Sequence, residues 1–398
     1  MRNAMVKNTK SNPLPLRTGK FKLYFFWCLL VIVSLAAMEL FSFAIIKLTK
    51  NKAPYRDRVG QVRNPYHPYL GYVHAPNFTL EISKGPVKGM RLVTDENGYS
   101  ITPAYAHAHP DMTILVTGGS TIFGIGSSDN STTVPSDLER LINERLNIRA
   151  EVVNLALRGG QSFQEMLLVD RFFAENHADL VLAVSGVNEA GGAINDPTVE
   201  GAFLSKYVWD NAVALVHKAE RGEFMLINLG SKLRSWSYTY DLLYRQFDKF
   251  KKKGKFQSPA EPPEFNLRRE APTSIGQRAK IAATHYAATD QISMMNGARF
   301  VMFLQPTPRY KTNWTEEEVS RITRKYESKD IMRIYGEKER EFYDAFRGTE
   351  KPFQFVDLSN IFSDSKETLY VDYCHYNDLA AEKLAERILE SVQPLLYK

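Results

Sequence analysis

The sequence predicts an α/β fold: a parallel sheet covered by helices on both faces, preceded by a single transmembrane helix. Three observations carry this expectation. From residue 111 onward, short β-branched runs alternate with longer stretches of helical period, the pattern of βαβ units. The runs are nearly continuous in apolar character, which suits strands buried on both sides. Near the N-terminus lies Leu23–Ile46, 24 residues whose only charge is Glu39. At about 1.5 Å per residue this segment is long enough to cross a hydrocarbon layer about 30 Å thick.

The strands are expected at 112–117, 151–157, 180–185, 299–304 and 354–358. Helices are expected at 133–146, 163–177, 274–296, 315–346 in one or two pieces, and 377–395. Ser162 with Glu165, and Thr315 with Glu318, match the capping box that marks helix starts. Four regions follow: a tail (1–22), the apolar span (23–46), a linker with a β-rich lead-in (47–110), and a domain (111–398). Residues 190–273 are too long for a simple crossover and read as a helical insertion, at the sheet's edge or capping its carboxyl end.

The chain has 398 residues, 44% of them apolar, enough for a substantial core. Its formal charge of +6 invites a nucleic-acid reading, but the charge is unevenly placed. The first 63 residues hold twelve of the 51 Lys/Arg and two of the 45 Asp/Glu, which leaves the rest at −4. No nucleic-acid partner is expected. Six Lys/Arg precede the apolar span and six follow it before residue 64, so the positive-inside count does not orient it. The long C-terminal domain favours a cytoplasmic N-terminus with the domain outside. A cleaved signal peptide is the competing reading, because Ser34, Leu35 and Ala36 offer a small-residue site, although the apolar run continues to Ile46. Glu39 has no visible partner in the sequence and receives no role.

Cys28 lies in the span and Cys374 in the domain, so no disulfide is expected. Asn77, Asn130 and Asn313 begin glycosylation-type triplets, a short and common pattern. His67, His74, His107 and His109 lack a completing carboxylate or thiol and read as loop histidines, so no metal is expected. Tyr207, Trp209, Trp236, Tyr238, Tyr240 and Tyr244 read as the insertion's core, with a substrate cleft as the alternative. The lysines at 249–255 read as a solvated helix end, with contact to anionic lipid as the alternative.

Chemistry-bearing residues gather at the carboxyl ends of the expected strands, where open α/β sheets bind ligands. The first strand runs into Gly118-Gly119-Ser120, the second into Gly159-Gly160, and the third into Gly186-Val187-Asn188-Glu189. Asp372 and His375, three residues apart, precede the last helix. One loop can thus carry a proton acceptor and the carboxylate that orients it.

In this order the four elements resemble the SGNH hydrolases, the GDSL-type esterases and lipases, over residues 111–190 and 368–395. The resemblance implies a three-layer, flavodoxin-like α/β/α sandwich and hydrolysis of a carboxylic ester without metal or cofactor. It implies Ser120 as nucleophile, His375 as general base and Asp372 as its orienting carboxylate. The oxyanion hole would be the N–H groups of Ser120 and Gly159 with the Asn188 amide. Two positions depart from the family pattern: Gly119, where aspartate is usual, and Glu189, also an aspartate in many members. The lead-in around Pro68–Tyr72 and Asn97–Tyr99 is similar to that of membrane-anchored bacterial members. An envelope glycan or lipid ester is the expected substrate. An O-acyltransferase using the same triad and a non-catalytic envelope binding protein are the alternatives.

Overall fold

The structure is a computed structural model that describes residues 18–48, 65–67, 69–82, 87–103, 109–195, 224–253, 274–323 and 329–397. The tail, most of the linker, His107, Tyr207, Trp209 and Lys255 lie outside the described residues. The chain divides into two compact units. One comprises Met1–Gln61 with Val216–Glu264, the other Val62–Leu215 with Phe265–Lys398.

The larger unit opens with two small antiparallel pairs: β1 (Tyr66–His67) with β2 (Gly71–Tyr72), and β3 (Thr79–Glu81) with β4 (Arg91–Val93). The main sheet contains β5 (Met112–Gly118), β6 (Ala150–Asn154), β7 (Leu180–Ser185), β8 (Arg299–Leu304) and β9 (Gln354–Asp357). Its order is β6-β5-β7-β8-β9 and every pairing is parallel. Counted within this sheet the order is 2-1-3-4-5, that of flavodoxin-like folds, with a switch point between β5 and β7 where ligands bind.

The apolar runs are continuous because alternate side chains serve opposite layers. Ile114, Val116, Leu180, Leu182 and Val184 pack with Leu138, Leu141, Leu384 and Ile388, from the helices Val134–Leu146 and Asp378–Leu396. Leu115, Val181 and Ala183 face the other way, onto Val169, Phe172, Ala279, Tyr286 and Phe342. Those residues come from the helices Ser162–Phe173, Ile275–Met295 and Lys329–Arg347. Each fully buried leucine contributes about 2 kcal/mol by leaving water.

Several boundaries differ from the sequence reading. β6 stops at Asn154, three residues early, because the Asn154 side chain accepts from the N–H of Ala156 and donates to the carbonyl of Ile122. The long helix expected at 315–346 is two, Glu316–Thr323 and Lys329–Arg347. The capping box at Thr315 and Glu318 forms as expected, each side chain accepting from the other's N–H. The box expected at Ser162 is shifted: Gln161 caps the helix, with Gln164 as its partner. Asn130 is buried, bonded to Val93, Ser100 and Ile101, so its triplet is a structural element and not an accessible glycan acceptor.

The smaller unit is a bundle. The helix Thr18–Leu48 contains a stretch, Lys22–Ile46, long and apolar enough to cross a membrane. The helix Tyr238–Lys253 packs against it, and Phe224–Trp236 packs against Tyr238–Lys253. The described part of the insertion thus groups with the N-terminal helix. Of the described aromatics expected as its core, Trp236 is 76% exposed, and Tyr240 and Tyr244 are exposed as well. Tyr238 packs inward, its ring 4.9 Å from that of Phe43.

Candidate active site

β5 ends at Gly118, and Ser120 opens the one-turn helix Ser120–Phe123 that follows it. This sharp strand-to-helix turn holds the hydroxyl at the carboxyl edge of the sheet, beside the switch point. The Ser120 Oγ lies 2.8 Å from Nε2 of His375, across 255 residues of chain.

His375 comes from a turn that its own neighbour builds. Tyr370 and Tyr376 pair across it, and Val371 N–H donates to the His375 carbonyl. Inside the turn, Asp372 Oδ1 accepts the N–H groups of Cys374 (3.0 Å) and His375 (2.9 Å). Its Oδ2 lies 2.8 Å from His375 Nδ1. The turn is anchored from outside. Glu318 accepts the N–H groups of Leu369 and Tyr370, and the Tyr376 hydroxyl donates to the Pro306 carbonyl.

Burial alone would raise the Asp372 pKa, but the imidazole and the two N–H donors outweigh it and hold the carboxyl down at about 2. Burial alone would lower the pKa of His375. The Cys374 sulfur, 3.6 Å from Nδ1, and the Asp372 carboxylate outweigh it and hold the imidazole above its ordinary value. Cys374 is buried beside the histidine. Asp372, Cys374 and His375 present their ligand atoms within 4.8 Å of one another, the spacing of a metal site. Both imidazole nitrogens are engaged, one by carboxylate and one by hydroxyl, which favours a proton relay over metal ligation.

The residues expected to hold an oxyanion converge on the same edge. The Asn188 amide lies so close to Gly119 that a β-carbon there would sit 2.2 Å from its Nδ2. A side chain at 119 would therefore require the Asn188 amide to shift. The same Nδ2 donates to the Gly160 carbonyl (2.8 Å), tying the third strand's loop to the second's. Gly159 has φ of +77°, a left-handed conformation that an L side chain would strain. Its loop is fixed on both sides. Tyr72 donates to the Arg158 carbonyl (2.5 Å), and Arg158 N–H donates to Nε2 of His74 (3.3 Å).

His74 was expected as a loop histidine and is instead a core one. Burial, with the Arg158 charge beside it, pushes its pKa down to about 3, leaving a neutral ring that can accept from Arg158. His67 accepts the N–H groups of Tyr69 and Leu70 and so closes a turn.

A buried polar layer behind the loops escaped the sequence reading. Glu189 accepts from the N–H of Ser162, which joins the Asn188 helix to the start of the helix after Gly160. Glu165 accepts from Ser185 Oγ (2.8 Å), and burial pushes its pKa up to about 8. Ser162 Oγ contacts His285 Nδ1 (2.9 Å). A glutamate directly after Asn188 and another one helical turn into an apolar face were the available signals. A cavity of about 600 Å³ runs along β6 past His74, Tyr99 and Arg171, and Ser120, Asp372 and His375 do not line it.

An α/β sheet with a strand-end serine aligned on a His–Asp pair describes the architectural class. No protein-family model and no curated protein matches the chain. Among solved structures it is similar to an acetyl xylan esterase (12% identity, TM-score 0.35, covering 71% of this chain and all of that one). It is also similar to a lipase from a goat rumen metagenome (10%, 0.36, 70% and 95%) and to a lipase/acylhydrolase from Enterococcus faecalis (10%, 0.34, 71% and 96%).

Proposed function

We propose that the chain is a serine esterase of the SGNH type, held at a membrane by its N-terminal helix with the catalytic domain outside the cytoplasm. The observation that carries the reading is the continuous line Ser120 Oγ, His375 Nε2, His375 Nδ1, Asp372 Oδ2, with both links at 2.8 Å. In this reading His375 removes the hydroxyl proton as Ser120 Oγ bonds to the ester carbonyl carbon. The carbonyl electrons move to oxygen, where the N–H groups of Ser120 and Gly159 and the Asn188 amide receive them. When the carbonyl re-forms, the C–O bond to the alcohol breaks and His375 delivers the proton to the departing oxygen. Water, deprotonated by the same histidine, then releases the acid from Ser120. Asp372 holds the tautomer and offsets the imidazolium charge throughout. An ester on an envelope glycan or lipid fits a domain tethered at that location.

The test is turnover of aryl esters of short and long chain, and of acetylated polysaccharide, by the full chain and by Ser120→Ala. Hydrolysis lost in the variant supports the reading. Equal rates in both proteins, or turnover only when a sugar acceptor is supplied, refute hydrolysis at Ser120.

A further inference from the structure

In the smaller unit the usual arrangement of polarity is reversed. Asp241 is 1% exposed and is gripped between two guanidinium groups, Arg234 (3.0 Å) and Arg245 (2.7 Å). On the same helix Tyr240, Leu243, Tyr244 and Phe247, spaced i, i+3, i+4, i+7, are exposed, Leu243 63% and Phe247 61%, with the Arg234 guanidinium stacked 3.9 Å over the Tyr244 ring. Trp236, at the elbow before this helix, is more exposed still. A helix in water buries such a stripe and exposes its charges. Charges paired inside with apolar side chains outside is the arrangement suited to lipid.

A second observation ties this helix to the apolar span. Glu39, the single charge in that span, accepts from Ser237 Oγ (2.9 Å), from the N–H of Tyr238 and from the N–H of Thr239 (3.1 Å). It thereby caps a helix that begins 199 residues later. Ser42 and Thr239 join their hydroxyls beside it (3.1 Å). Glu39 lies seven residues before Ile46, roughly 10 Å along the helix from the end of the apolar stretch. An elbow fixed to Glu39 is therefore drawn below the level at which the span ends.

We propose that the helices Phe224–Trp236 and Tyr238–Lys253 form a lipid-facing element, latched to the span by Glu39, whose outer stripe contacts the acyl chains and headgroup boundary of the bilayer. The proposal rests on the reading of the N-terminal helix as a retained membrane anchor. Aromatic residues at the elbow suit the interfacial level, and the lysines that end the second helix suit anionic headgroups.

The test uses full-length chains carrying one tryptophan of the four, either Trp27 or Trp236, the others replaced by Phe. These are reconstituted in vesicles of phosphatidylglycerol and phosphatidylcholine brominated on its acyl chains. Trp236 emission is expected to fall by roughly half or more, as for a ring at the lipid interface, with Trp27 quenched alongside. Glu39→Ala is expected to relieve the quenching of Trp236 and leave that of Trp27 unchanged. Quenching of Trp27 without Trp236 overturns the proposal while the anchor stands. No quenching of Trp27 removes the anchor and the proposal with it. Unchanged quenching of Trp236 in Glu39→Ala overturns the latch.

Discussion

The two units handle apolar surface in opposite ways. In the α/β domain the apolar side chains are inside, as along the whole of β7, and ion pairs occur both outside, as between Arg149 and Asp111, and inside, as between Lys311 and Glu318. In the helical unit the Asp241 pairs are likewise inside, but the tyrosine, leucine and phenylalanine stripe faces out. Both use the same local device, a carboxylate that accepts two successive backbone N–H groups and one side-chain donor. Asp372 does so within its own turn, while Glu39 does so for a helix from a distant part of the chain. The contrast indicates two solvents: a domain at equilibrium with water and a bundle whose outer face fits lipid.

The largest expected effect falls in the domain. Ser120→Ala should lower ester turnover by about 10⁴-fold or more, as for removal of a nucleophile acting with its base, and leave the melting temperature nearly unchanged. The bundle should respond in stability instead. Asp241→Ala removes the buried carboxylate that pairs with both Arg234 and Arg245, at a cost of about 3 kcal/mol, read as lost hydrogen-exchange protection across 238–253. The comparable change at the exposed pair of Arg91 and Glu81, both more than half exposed, should cost less than about 1 kcal/mol. Protection unaffected by Asp241→Ala would erase the contrast between the two units.

Asn188→Ala should reduce kcat by about a hundredfold through loss of one oxyanion donor. A smaller effect is expected from Cys374. The proposed mechanism needs neutral His375, and the folded protein holds this imidazole above 6.5, so kcat/KM should rise with pH through a limb above that value. The Cys374 sulfur is among the groups that raise it, so Cys374→Ala should move the limb to lower pH. A limb that moves up instead would mean that the sulfur does not support the imidazolium.

How much was legible in the sequence followed sequence distance and the type of burial. The five strands were legible because burial on both faces leaves uninterrupted apolar runs. The Asp372–His375 pair was legible because it closes within one turn. Ser162 and Glu165 matched a capping pattern, yet Glu165 turns inward to Ser185, and the cap moved one residue to Gln161. The pattern fixes spacing but not which way a carboxylate points. Glu39 could not be assigned, because its partners lie some 200 residues away and no local period reveals them. The outward aromatics were misassigned to a core because a stripe with this spacing reads the same whether it faces protein or lipid.

The most direct measurement is reaction of the folded, full-length chain with an ester-mimicking phosphonate, followed by peptide mapping of the adduct. Covalent label on Ser120, lost in His375→Ala while that variant stays folded, is the predicted result. An unlabelled Ser120, or label retained without His375, would contradict its role as the activated nucleophile.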